Sequence, residues 1–192
     1  TTITGVWAFT YDGDGTLVKQ VYTDAASVVL TTLYYRGRSY QVESDGSTTT
    51  VTKYYAFGGT TVAMVRCENG SCPAAPTYFL TDHLGSTVAI TAADGTFVSE
   101  QRYLPFGGVR ADVGNITQTD FGYTGQRNIA GNLGLMDYNA RFYDPYLKRW
   151  TQPDPIVPNP YSSQGWNRYS YVFNSPTNLN DPSGNNPICD EE

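Results

Sequence analysis

A chain of 192 residues is long enough to bury a core, and its length alone does not separate one domain from two. Its net charge of -6 offers no clustered Lys and Arg to release counterions from a phosphate backbone, which excludes nucleic acid as an expected partner. No apolar run approaches the ~18 residues needed to span a bilayer, and 14% aromatics, 16% charged residues, 19 glycines and 11 prolines describe an all-β, turn-rich chain.

Short strand-like runs follow one another with turn residues between them. The first is Val6 to Tyr11, closed by Asp12-Gly13-Asp14-Gly15 and answered by Thr16 to Tyr22, a hairpin pattern. Val28 to Tyr35, the Arg36-Gly37-Arg38 turn, Ser39 to Glu43, Asp45-Gly46 and Thr48 to Phe57 come next. In the last of these, Thr50, Thr52 and Tyr54 alternate with Val51, Lys53 and Tyr55, as a strand with two different faces requires. Thr60 to Arg66, Thr77 to Thr81, Thr87 to Thr91 and Thr96 to Leu104 continue the series, with Asp94-Gly95 as a turn and Gly107-Gly108 closing the run.

The chain repeats itself. YYAFGG from Tyr54 and YLPFGG from Tyr103 share a Tyr, a Phe and a Gly-Gly at equal offsets. Asp14-Gly15-Thr16, Asp45-Gly46-Ser47 and Asp94-Gly95-Thr96 echo one another. Such echoes predict stacked β-hairpins, each burying its apolar face only against a neighbour. Residues 1–76 read as repeat-like hairpins and 77–192 as a core region, the two forming one continuous β unit. From Asn128 onward the prolines limit regular pairing, so an irregular segment is expected, with at most one short helix within Gly165 to Phe173.

Several residues admit more than one chemistry. Cys67 and Cys72 bracket CENGSCP, and the intervening turn suits a disulfide across a hairpin mouth, two free thiols, or half of a metal site for which only His83 and Cys189 remain. A disulfide implies an oxidising compartment and leaves Cys189 as an odd thiol. Asp12 and Asp14 suit a hairpin turn or calcium, although no EF-hand Glu follows. His83 lies between Asp82 and Ser86, an adjacency that suits a turn and does not make a triad. The 16 tyrosines suit cross-strand packing or a glycan-stacking surface. Asn69-Gly70-Ser71 and Asn115-Ile116-Thr117 match the glycosylation acceptor pattern. The chain opens at Thr1 without a charged-then-apolar leader, which reads as a mature secreted product or a trimmed fragment.

Four segments carry a resemblance: DHLGSTVAITAADGTFVSEQRYLPFG, GYTGQR, YNARFYDPYLKRWTQPDPI and NRYSYVFNSPTNLNDPSG. In this order they resemble the Rhs/YD-repeat family, specifically its Rhs repeat-associated core, over roughly Tyr54 to Gly184. The looser FTYDGDGTLV from Phe9 resembles a YD-type repeat. The resemblance implies a hairpin strip winding into a shell that in many members encloses a C-terminal toxin, with a core end that in several cuts the toxin free by aspartyl-type self-cleavage. By that resemblance the catalytic positions are Arg141, Asp154 and Asp181, and the cut falls just after Gly184, near Asn185, where the family usually has a large apolar residue. The chemistry needs two carboxylates and a cation to steady developing negative charge. As alternatives, the two aspartates start turns and Arg141 makes a structural contact with a carboxylate or a tyrosine ring.

Three functions follow as expectations. The first is a secreted, non-catalytic structural module that assembles through β-sheet edges with copies of itself or with the rest of a longer Rhs chain, into a shell or filament. The second is a self-processing core, and the third a glycan-binding adhesin. No cofactor is expected in any of them.

Overall fold

The computed structural model describes residues 5–35, 39–110, 114–129, 133–155, 157, 161, 163–185 and, for the backbone, 188–189. The expected turn at Arg36-Gly37-Arg38 and the side chain of Cys189 lie outside the described residues. The secondary structure is all β, with three single-turn 3-10 segments.

Nine strands lie side by side in chain order: β1 (Gly5–Tyr11), β2 (Leu17–Asp24), β3 (Val29–Tyr35), β4 (Tyr40–Ser44), β5 (Thr49–Phe57), β6 (Thr60–Glu68), β7 (Thr77–Thr81), β8 (Thr87–Thr91) and β9 (Phe97–Glu100). A second sheet holds β10 (Arg127–Ile129), β11 (Leu135–Asp137), β12 (Phe142–Asp144) and β13 (Arg149–Trp150), and β14 (Leu179–Asn180) pairs with β15 (Ile188–Cys189). The chain divides into two compact units, one of Thr1–Leu80 with Ile90–Val98, the other of Thr81–Ala89 with Ser99–Glu192.

One device closes many of the turns. Asp12 Oδ1 accepts the N–H groups of Asp14 and Thr16, Asp24 Oδ1 those of Ala26 and Val28, and Asp82 Oδ1 those of Leu84 and Ser86. In each case the residue three after the aspartate, Gly15, Ser27 or Gly85, has positive φ. The carboxylate thus satisfies amides that the tight reversal removes from the strand ladder. Asp12 and Asp14 therefore form a hairpin turn of ordinary kind.

In the first unit, Thr50, Thr52 and Tyr54 point to the buried face of β5, and Lys53 and Tyr55 to the exposed one. The buried face is unusually polar. Gln20 stands opposite Thr32, and Gln41 stands between Tyr34 and Thr52, all five buried. Trp7 stacks on Tyr22 directly across the β1–β2 ladder at 4.5 Å. Cys67 and Cys72 are joined in a disulfide, and Asn69 between them accepts the Thr49 N–H through Oδ1 at 2.8 Å.

The second unit is built on an aromatic cluster of Tyr123, Tyr138, Tyr143, Trp150 and Tyr171 with Leu84, Met136 and Val172. Tyr143 and Tyr171 lie 4.5 Å apart and Tyr138 meets Trp150 edge-on at 5.1 Å. Regular pairing therefore persists well past Asn128. The reason is that Pro145 sits in the β12–β13 turn, and the remaining prolines begin only at Pro153, beyond β13. No α-helix forms within Gly165 to Phe173, in keeping with at most one there; 3-10 turns stand at Ser163–Trp166 and Val172–Asn174, the second with positive φ at all three residues.

Candidate functional site

Three short turns of the second unit converge on one arginine. The first runs from Tyr138 to Arg141: Asp137 Oδ1 accepts the Asn139 N–H at 2.7 Å, Asn139 takes φ +70, and the Tyr138 N–H closes onto the Arg141 carbonyl at 3.1 Å. This delivers Arg141 at the start of β12, where its side chain is 5% exposed. The second brings Asp154, whose N–H donates to the Arg168 carbonyl while Arg168 Nε donates to the Asp154 carbonyl. The third follows β14. There Asp181 Oδ1 accepts the Asn185 N–H at 3.1 Å and the Ser183 hydroxyl at 3.3 Å.

Each nitrogen of the Arg141 fork meets a different acceptor. Nη1 lies 3.0 Å from Asp154 Oδ2, Nη2 lies 3.5 Å from Asp181 Oδ2, and Nε donates to the Gly184 carbonyl. The guanidinium lies over the Trp150 ring, 4.2 Å from its centroid, which fixes its plane. Burial pulls Arg141 below its ordinary range, and the charges of Asp154 and then Asp181 oppose that pull. Asp181 is fully buried and Asp154 half-buried. A cavity of about 30 Å³, lined by Arg141, Trp150, Asp154, Gln164, Asp181 and Asn185 among others, adjoins the cluster. That is room for one water.

Gly184 has φ +74, and a Cβ there would meet the Tyr138 carbonyl at 2.8 Å. The turn holding it is sealed by the Ala140 N–H, which donates to the Ser183 carbonyl at 3.3 Å.

Arg141, Asp154 and Asp181 are thus brought together, beside Gly184. Cys67 and Cys72 belong to the other unit and their disulfide is described there. His83 is exposed, with Nε2 3.3 Å from the Thr177 carbonyl. Two contributors were not singled out in the sequence, Trp150 and the Tyr138–Arg141 turn. The hairpin signal of Asp144-Pro145 implies the Tyr143–Trp150 pairing and could have located Trp150. A second buried arginine, Arg127, pairs with Asp120 over the Phe121 ring at 4.1 Å and braces β10. Among the described residues no three His, Cys, Asp or Glu side chains group as a metal site, and no helix is long and apolar enough to cross a membrane.

Comparison with known proteins gives this geometry a context. The family model of the Teneurin YD-shell matches residues 71–177, more than half of the chain. Salivary gland surface protein 1 of Aedes aegypti is 37% identical over 107 residues, 55% of this chain and 3% of that protein. Toxin subunit YenC1 of Yersinia entomophaga is 30% identical over 105 residues, 53% of this chain and 10% of that subunit. The fold matches the TcdB2-TccC3-Cdc42 crystal structure with a TM-score of 0.77 at 22% identity, covering 93% of this chain and 9% of that one. It matches the Photorhabdus luminescens Tc holotoxin pore with a TM-score of 0.79 at 21% identity, covering 95% and 9%. The chain spans a tenth or less of these relatives' length.

Proposed function

Because this chain belongs to the Teneurin YD-shell family, we propose that it is a structural section of a shell wall that joins a larger assembly through its sheet edges. The observation that carries this reading is β1. It stands at the end of the nine-stranded order, has no second strand neighbour among the described residues, and runs for seven residues without a proline or a charge. Such an edge is a template for another strand, from a longer chain of the same type or from a second copy. The toxin subunits among its relatives support an assembly with other chains, and the Cys67–Cys72 disulfide supports an extracellular location.

The test is particle size by light scattering of the isolated chain. Self-association is expected, and Val6→Lys with Ala8→Lys, which charge the exposed side of β1, should return a monomer. A monodisperse species with one chain's mass before any substitution overturns the reading.

A second reading, self-processing beside Gly184, is favoured by one specific contact set. Arg141 donates to the Gly184 carbonyl, and the Asn185 N–H donates to Asp181. Water adding to the Gly184 carbonyl carbon would pass a proton to one carboxylate. The oxyanion would face Arg141, and the C–N bond would break as the Asn185 nitrogen takes a proton from the other carboxyl. Intact-mass measurement tests it: a terminus at Gly184 or Asn185 that vanishes in Asp181→Asn supports processing. An unsubstituted chain that stays whole through Glu192 refutes it.

A further inference from the structure

Resting on the self-processing reading, we infer that the Tyr138–Arg141 turn is a backbone subsite that admits only glycine at position 184, and so selects where the chain is cut. Its walls are two main-chain atoms and the Tyr138 Cβ. A Cβ at position 184 would lie 2.8 Å from the Tyr138 carbonyl oxygen, 3.1 Å from Tyr138 Cβ and 3.2 Å from the Arg141 nitrogen. The first distance is one that real Cβ atoms do not reach, and the atom is backbone, so no rotamer relieves it.

The turn itself cannot retreat. Tyr138 is wholly buried in the aromatic cluster, with its hydroxyl 2.7 Å from Thr124 Oγ1 and 3.3 Å from the Tyr171 hydroxyl. The Asp137 carboxylate holds the Asn139 N–H, and the Ala140 N–H holds the Ser183 carbonyl, one residue before the glycine. Independently of these walls, φ +74 at Gly184 is a conformation that side-chain-bearing residues rarely adopt.

The consequence for chemistry is positional. The same turn that excludes a Cβ carries Arg141, whose Nε donates to the Gly184 carbonyl. Subsite and oxyanion donor are therefore one element, and a residue that lifts the loop off Tyr138 also lifts its carbonyl off Arg141. Selection is by the absence of a side chain, in contrast to a pocket that grips one.

The experiment follows intact mass over time for the unsubstituted chain, for Gly184→Ala, and for the swap Ser183→Gly with Gly184→Ser, which keeps one glycine in the loop but moves it. Near-ultraviolet circular dichroism of the buried tyrosines checks folding in parallel. Both variants are expected to fold and to be cut at least about 100-fold more slowly, the loss that a displacement of about 1 Å at a reacting group produces. Cutting of either folded variant at the unsubstituted rate overturns the inference, because it would mean that loop flexibility alone suffices. Should both variants lose their near-ultraviolet signal, Asp137→Ala decides, because it keeps Gly184 and loosens the turn by removing the acceptor of the Asn139 N–H: slowed cutting supports the inference and cutting at the unsubstituted rate overturns it. An unsubstituted chain that is never cut fails differently, since it removes the processing reading before any variant is compared.

Discussion

Arg141 is a residue whose worth depends on all its partners at once. It is buried with two carboxylates, a carbonyl and an indole, and desolvating three charges costs more than any single contact returns. Removing the cation alone is therefore severe. Arg141→Leu leaves Asp154 and Asp181 without their shared counterion and should lower the unfolding free energy by about 3–5 kcal/mol, read from denaturant midpoints. Arg141→Lys keeps the charge but loses the planar fork, so one ammonium cannot reach Asp154, Asp181 and the Gly184 carbonyl in their present directions. Its loss should be smaller in stability, and on the proposed self-processing reading the cutting rate should fall as far as in Arg141→Leu. Equal stability losses in the two variants would argue that the fork geometry, and not the charge alone, carries the stability here. These three positions came from a family resemblance, since nothing in their spacing announces that they meet. The glycine seat was invisible for the same reason: it arises only when separate turns pack.

At the scale of elements, the aspartate turns differ in how much their amides depend on them. Asp82 Oδ1 holds the N–H groups of Leu84 and Ser86, both buried residues, whereas Asp12 serves exposed amides that water can take over. Asp82→Ala should therefore cost roughly 1–3 kcal/mol and Asp12→Ala well under that, measured side by side by urea unfolding. The Cys67–Cys72 bridge closes a short loop, so its reduction should cost about 2 kcal/mol on the chain-entropy account, with exchange protection lost first around the Glu68–Ser71 bridge. Turn chemistry of this kind is local, which is why it can be read from the sequence. The bounds Thr77 to Thr81 and Thr87 to Thr91 coincide with β7 and β8, and Asp12, Asp45 and Asp94 all cap their reversals. The second sheet escaped because β10 to β13 have two or three residues each, too few to display an alternation. The polar buried face of β2 to β5 is a related case: alternation reveals that two faces exist, but Thr and Gln do not announce which is inside.

For the molecule as a whole, the two units should respond differently to alkali. Tyr103, Tyr123, Tyr138, Tyr143 and Tyr171 all belong to the second unit, and burial, the largest cause in each case, pushes their phenols above the ordinary value of 10.0. For Tyr171 the rise is to about 12, and Tyr103, Tyr123 and Tyr143 go further. A group whose folded pKa is raised keeps its proton longer when folded than when unfolded. Between pH 10 and the folded value the native state thus binds more protons, and stability falls as pH rises through that window. Below pH 10 the contribution is fully present. The expected result is a delayed phenolate absorbance from these tyrosines that appears together with loss of their near-ultraviolet dichroism. The ionisation should follow unfolding of the second unit, while far-ultraviolet strand signal from the first unit persists to higher pH. Strands β1 to β6 are held by long ladders and a disulfide, and although Tyr34 and Tyr54 are buried there, the aromatic cluster among the described residues belongs to the second unit. Smooth titration of all tyrosines near pH 10 with the dichroism intact would mean that the cluster is open to solvent, and would remove the packed scaffold on which both the arginine and the glycine seat depend.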